Sequence, residues 1–225
     1  MKSKRRYHSP AREQAAEETK ASIRRSARQL FVDQGYVPTT MKQIASGATV
    51  AERTLYLAYP TKAALLDDLI ARAIRGDDVA RSARPLPDFT DDQRSVSAGE
   101  MIRSYVEATS SLYARAGALL VIGEQAAAAD PELKTFADRG AGDTLRYIRT
   151  LTSRLADLGQ LRAGLTSQDA ADIVYALSHF TTHHLLTTRR RWSHRRYRTW
   201  LASTLVDAIS ADGATADDPI HRPEP

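Results

Sequence analysis

Periodicity is the property that most narrows what this chain can become. Apolar side chains recur at three- and four-residue spacing along nearly its whole length, as in Ile23, Ala27, Leu30 and Phe31, or Met101, Ile102, Tyr105, Val106, Leu112 and Tyr113. No convincing run alternates apolar and polar residues with the β-branched enrichment of a strand. Such spacing buries one stripe of a helix and cannot cover the face of a sheet, so an all-α fold is expected. A composition of 42% hydrophobic and 26% charged residues over 225 positions supplies enough apolar surface for a sizeable core. Cysteine is absent, which excludes disulfides, thiolate zinc sites and a thiol nucleophile, and fits a cytoplasmic location. No stretch reaches the ~18 uninterrupted apolar residues of a membrane span. The basic segment Met1 to Pro10 is not followed by the apolar run of a secretory signal.

Glycine, proline and capping residues divide the pattern. Residues 1–8 read as a disordered basic arm, and Ser9-Pro10 as cap and first turn of a helix running to about Gln34, ended by Gly35. Two short helices follow, and then a longer one from Thr61 to about Arg75. Residues 76–97, with Gly76, Pro85, Pro87 and several Asp, read as a loop. A helix of about 98–115 is expected to break at Gly117, with a short helix at 118–129 beyond it. Asp130-Pro131 opens a helix to about Leu158, and Gly159 and Gly164 bracket a turn. Ser167 is expected to cap a helix to about Arg189, and Ser193 a last one to about Ile209. Residues 211–225, rich in Ala, Asp and Pro, read as a disordered tail.

Charge is uneven along this pattern. Residues 1–62 carry 12 Lys and Arg against 5 Asp and Glu, whereas residues 63–225 carry 20 against 22. A basic first quarter on a near-neutral body is the footprint of a nucleic-acid-binding module, although a membrane surface or an acidic protein fits the charge equally well. Spacing makes the first of these specific. Thr40-Met41-Lys42-Gln43 fits a capping box, with Ile44 and Ala45 on the packed side of the short helix it starts. The chain then turns at Gly47 to Thr49, and Val50 is buried. A helix from about Ala51 to Tyr59 sets Leu55 and Tyr59 inward. Two short helices crossing steeply at a tight turn form a helix-turn-helix, whose second helix enters the major groove; a helical pair with a solvated face shares the spacing. Arg53 suits a bidentate grip on guanine, Thr54 a base edge or phosphate, and Tyr56 the backbone or a thymine methyl. Thr40, Lys42 and Lys62 are further expected DNA contacts, Lys62 being placed for a phosphate at the start of a helix.

Residues 39 to 66, running Thr-Thr-Met-Lys-Gln-Ile-Ala through Arg-Thr-Leu-Tyr-Leu-Ala-Tyr-Pro-Thr-Lys-Ala-Ala-Leu-Leu, resemble the DNA-binding domain of the TetR family of bacterial repressors. The likeness extends over about residues 20–70, through Ala27, Leu30, Phe31 and Gly35-Tyr36. The ending Arg191-Trp192-Ser193 with Tyr197, Trp200 and Leu201 also resembles family carboxyl termini. The resemblance implies a helix-turn-helix domain (9–62) followed by a larger helical ligand-binding and dimerisation domain (63–210). Two residues depart from the family pattern. Thr49 stands where the family has glycine in the turn, so either the turn is strained or Gly47 takes part of the bend. Ala51 stands where Ser or Thr caps the recognition helix, a loss of roughly 1 kcal/mol.

The implied function is a transcriptional regulator, a repressor acting as a homodimer on a palindromic double-stranded DNA operator and released by a small-molecule effector. The segment 167–189 is apolar over a wide arc, through Ala170, Ile173, Val174, Leu177 and Leu185 on one side and Ala176 and Phe180 on another. A dimer surface satisfies that, as does a deeply buried helix in a monomer. Polar residues within the buried stripes, Tyr105, Tyr113, Glu124, Tyr147, His179 and His183, are candidate effector ligands. His179, His183 and His184 have a spacing open to metal, but without Cys or a neighbouring acid no metal or other cofactor is expected. The arginines at 189, 190, 191, 195, 196 and 198 read as a solvated corner. No phosphate loop, His-Glu-x-x-His or nucleophile elbow is present, so no enzymatic activity is expected. A helical interaction protein with a weakened DNA-binding head is the alternative.

Overall fold

The computed structural model describes residues 10–76, 85–90 and 96–211. The expected basic arm, the Ser9 cap, much of the 76–97 loop and the tail beyond Ala211 lie outside them. The described residues form α1 (Pro10–Gln34), α2 (Met41–Gly47), α3 (Glu52–Ala58), α4 (Lys62–Arg75), α5 (Ala98–Ala127), α6 (Pro131–Asp157), α7 (Ser167–Ser178), α8 (Phe180–His184), a π-helical turn (Leu185–Arg189) and α9 (His194–Ile209). Among them no strand occurs, only an isolated bridge between Leu161 and Ser210. No described helix is long and apolar enough to cross a membrane.

Most boundaries follow local chemistry. Gly35 and Gly76 end α1 and α4 at positive φ, a region nearly free of strain only for glycine. Thr40 and Gln43 close the expected capping box on α2, and Ser97 and Glu100 close another on α5. The Asp130 carboxylate accepts from the N–H groups of Glu132 and Leu133 ahead of α6. The cap of α7 is Thr166, boxed with Asp169, one residue before the expected Ser167. Ala211 is held by its N–H to the Gln160 carbonyl (3.0 Å), so the chain is anchored one residue into the expected tail.

Two expectations fail where distant packing overrides local propensity. α5 runs unbroken through Gly117, merging the two expected helices into one of 30 residues. A helical glycine costs about 1 kcal/mol relative to alanine, yet Gly117 is buried where α8 brings in His183, whose Nδ1 lies 3.7 Å from the position a Cβ would take. Conversely, the single helix expected over 167–189 is divided. Ser178 donates its hydroxyl back to the Val174 carbonyl (2.6 Å) and shares a hydrogen bond with Tyr105 OH (2.7 Å). His179 then turns to an extended ψ of 145°, and its ring nitrogen accepts from Thr181 N–H to begin α8.

The core has two clusters. One gathers Ile23, Phe31, Ile44, Leu55, Leu65, Leu66 and Ile70 from α1–α4, together with Ala116, Leu119 and Ala126 of α5 and Leu133 of α6. The other gathers Ile102, Tyr105, Leu151, Leu155, Val174, Tyr197 and Leu201 from α5, α6, α7 and α9, with Phe89 from the connection before α5. α5 therefore contributes one half of its length to each.

Candidate nucleic-acid interface and effector site

α2 and α3 meet through a turn whose hydrogen bonds identify its geometry. Val50 N–H donates to the Ala45 carbonyl (3.0 Å) and Thr49 N–H to the Ser46 carbonyl (3.1 Å). That pair is the Schellman termination, in which the residue after the cap takes the left-handed conformation. Here that residue is Thr49, at φ 57°. Gly47 is the last helical residue and takes none of the bend. It serves instead for closeness, since a Cβ there would lie 2.5 Å from Ser26 Oγ of α1, which itself donates to the Ile44 carbonyl (3.0 Å). The second departure stands too, for Ala51 precedes α3 with no side-chain cap.

Leu55 is fully buried and turns α3 so that Glu52, Arg53, Thr54, Tyr56 and Leu57 face solvent. Lys42 is exposed on α2. Thr40 is exposed as well, but its hydroxyl accepts from Gln43 N–H (3.2 Å), which makes it a positioning group for the first turn of α2. Leu57 had no place among the expected contacts. A seven-residue helix is too short for periodicity to tell an outward leucine from a packed one.

Lys62 departs from expectation. Its ammonium donates to the carbonyls of Tyr36 (2.8 Å), Val37 (3.3 Å) and Thr39 (2.8 Å) and lies 4.2 Å above the Tyr36 ring. Burial lowers its pKa, opposed by the charge of Asp130. The lysine thus ties the α1–α2 corner to α4 instead of reaching outward for a phosphate. Tyr36 OH continues the link by donating to Asp130 Oδ2 (2.7 Å) at the cap of α6, while Thr61 Oγ1 donates to Glu132 Oε2 (3.0 Å). A second network joins the head to α4: Arg24 donates to Glu17 (2.6 Å) and to Tyr59 OH (3.2 Å), which donates to Asp68 (2.7 Å).

The six candidate effector residues do not share one wall. Glu124 is exposed, because its turn of α5 directs that side outward. Tyr147 is half-buried, donates to the Pro87 carbonyl (3.1 Å) and stacks on Tyr105 at 5.9 Å between ring centroids. His179 is occupied at the start of α8. Tyr113 and His183 do come together, at 5.8 Å, and His183 also meets Tyr197 edge-on at 4.8 Å and His194 at 5.5 Å. His183 is 3% exposed, and its Nε2, like Tyr197 OH, is buried without a hydrogen-bond partner in the protein. Burial, reinforced by His194 and His184, lowers the His183 pKa to about 4. Tyr197 is not among the effector candidates read from sequence, because its helix looks like an ordinary amphipathic carboxyl terminus. A groove of about 520 Å³ between α5 and α9 is lined by Arg103, Glu107, Arg195 and Arg198, and by none of the six candidates. Arg198 pairs there with Glu107 (2.5 Å), and Arg196 stacks over Trp192, so the arginine corner is partly paired. Among the described residues no group of three or more His, Cys, Asp or Glu is placed to hold a metal ion.

Residues 23–69 match the family model of the bacterial regulatory proteins, tetR family. No curated protein sequence matches the chain. Among solved structures it is similar to NalD of Pseudomonas aeruginosa, the secondary repressor of the MexAB-OprM multidrug efflux pump (TM-score 0.66, 20% identity, 88% of this chain and 99% of that one). It is also similar to SmeT of Stenotrophomonas maltophilia, the repressor of the multidrug efflux pump SmeDEF (TM-score 0.64, 19% identity, 92% and 100%). A complex of SmeT with triclosan gives a TM-score of 0.61 at 22% identity, over 92% and 99%.

Proposed function

We propose that the chain, whose residues 23–69 match the family model of the bacterial regulatory proteins, tetR family, is a ligand-responsive repressor binding a palindromic operator as a homodimer. The observation that carries this reading is the outward face of α3. Arg53, Thr54 and Tyr56 stand exposed opposite buried Leu55, on a helix packed against α2. Arg53 is assigned to guanine, Thr54 to a base edge or phosphate, Tyr56 to backbone, and Lys42 to phosphate. Two such faces about 34 Å apart read successive major grooves. Leu185, 54% exposed after α8, and the partly covered Ile173, Leu177 and Phe180 supply apolar surface for a second copy.

Residues 9–62 act as the head and 63–210 as the body in this reading. The effector site is assigned to Tyr113, His183 and Tyr197, with Tyr105, Tyr147 and His179 nearby. Two orphaned polar atoms among aromatic rings give a small molecule something to satisfy, and a neutral imidazole favours an uncharged one. SmeT, of similar fold, is known in complex with triclosan. The links from Lys62 and Tyr36 to the α6 cap give the body a path to the head, and an effector shifts operator affinity only insofar as it binds the two arrangements unequally.

Selection of bound duplexes from a random pool tests the reading. A palindromic consensus with half-sites one helical turn apart, bound with a steep dependence on salt, is expected. Equal binding of every duplex would leave the second reading, a helical interaction protein with a weakened head, which strained Thr49 and uncapped α3 favour.

A further inference from the structure

We propose that Leu57 is a specificity-determining residue that reads the methyl group of a thymine in each half-site. The inference rests on the DNA-reading role proposed for α3. It starts from the direction of Leu57. With Leu55 fully buried and about 100° between successive residues, the two side chains pointing most nearly away from the packed side are Arg53 and Leu57. Tyr56 and Thr54 flank them. Arg53 and Leu57 therefore form the centre of the outward face, the part that meets the groove floor when the second helix of a helix-turn-helix docks.

Chemistry then limits what Leu57 can recognise. At 79% exposure it is the most exposed of the large hydrophobic residues described, and it sits in the region that matches a DNA-binding family. Along the major groove the base edges present hydrogen-bond donors, acceptors and one apolar group, the C5 methyl of thymine. Leucine offers no hydrogen bond to a phosphate or a base edge, so a thymine methyl is the one feature there that its burial favours. Opposite a cytosine amino group it would desolvate a donor without replacing the bond, which converts the preference into discrimination. The spacing adds a prediction of register. Four residues rise about 6 Å along a helix, just under two base steps of about 3.4 Å. The thymine met by Leu57 and the guanine met by Arg53 should thus lie about two base pairs apart.

The test uses the full chain and the consensus duplex recovered from a random pool, with each thymine of the half-site replaced in turn by deoxyuridine, which lacks only the methyl. For the wild-type chain, one such replacement should weaken binding about fourfold per half-site, the equivalent of one buried methyl. The same replacement should have no effect on the Leu57→Ala variant, whose exposed position leaves folding unchanged, as a thermal melt would verify. If every deoxyuridine duplex binds the wild type as well as its parent, the inference is overturned. It is overturned equally if the loss persists undiminished in Leu57→Ala, since another side chain, such as Tyr56, would then hold the methyl. A pool that returns no preferred sequence defeats the DNA-reading role and this inference together. A preferred sequence without methyl sensitivity defeats this inference alone.

Discussion

Replacing Thr49 by glycine should stabilise the protein. Thr49 is the left-handed residue of the Schellman turn at the end of α2, at φ 57°, and that conformation costs an L-residue about 1–2 kcal/mol through contact of Cβ with the backbone. Glycine removes the contact but gives back about 0.5–1 kcal/mol through its greater freedom in the unfolded chain. The side chain of Thr49 is exposed and no hydrogen bond from its hydroxyl is described, so little else is lost. The net expectation is a gain of about 0.5–1 kcal/mol, or a rise of roughly 1–4 °C in Tm for a chain of this length. Calorimetry and urea unfolding would measure it. Gly47→Ala is the matched control. Its Cβ would lie 2.5 Å from Ser26 Oγ, which is held by the Ile44 carbonyl, and crowding of that kind should destabilise by about 1–3 kcal/mol. A neutral Gly47→Ala together with a destabilising Thr49→Gly would refute the assignment of the bend to Thr49.

Lys62→Met should leave the salt dependence of operator binding unchanged, where loss of a phosphate contact would lower the slope by about 1. It should also lower stability by about 1–3 kcal/mol by withdrawing its bonds to the carbonyls of Tyr36, Val37 and Thr39; a reduced slope at unchanged stability would restore Lys62 to the phosphates. His183 should make the fold sensitive to acid. Its pKa falls from 6.5 in the unfolded chain to about 4 in the folded one, so the unfolded state gains its proton first as pH drops. The stability tied to the neutral ring is whole above pH 6.5 and is lost between 6.5 and about 4. Relative to His183→Gln, wild type should lose about 2 kcal/mol between pH 7 and pH 4.5, and a pH-independent difference between the two would contradict this. Gly117→Ala should be tolerated or stabilising by about 0.5–1 kcal/mol, since the nearest atoms to its Cβ lie at 3.7 and 3.8 Å and alanine favours the helix. A clear drop in Tm would show that α5 and α8 need a closer approach there.

The parts of this fold legible in sequence were those decided within a few residues. The capping box of Thr40 and Gln43, the αL glycines Gly35 and Gly76, and Asp130-Pro131 each work through neighbours along the chain, and each sits where the sequence puts it. Misreadings arose where the deciding partner is remote. Gly117 reads as a breaker because helix propensity is local, whereas burial of α5 on both sides of it, in two core clusters, carries the helix through. The break at His179 depends on Ser178 and on Tyr105, 73 positions away in sequence. Lys62 reads as a phosphate contact because its acceptors here are carbonyls, and a carbonyl leaves no trace in a residue pattern. The effector candidates were the least legible part. Burial of a polar residue can be guessed from its stripe, but convergence of Tyr113, His183 and Tyr197 depends on how three helices pack.

The sharing of α5 between the two core clusters bears on how such a regulator can be recombined. The apolar floor beneath α1–α4 includes Ala116, Leu119 and Ala126, more than 40 residues beyond the end of α4 in sequence, and Leu133 of α6. A reading head cut after Arg75 would lack that floor and would expose Ile70, which lies against Gly123 of α5, so it should not behave as an interchangeable cassette. Chimeras with a relative of the same fold would keep their integrity only if the second half of α5 and the first turn of α6 travelled with the head. The junction that sequence suggests near residue 62 does not bound this packing unit, which is assembled from two separate stretches of the chain.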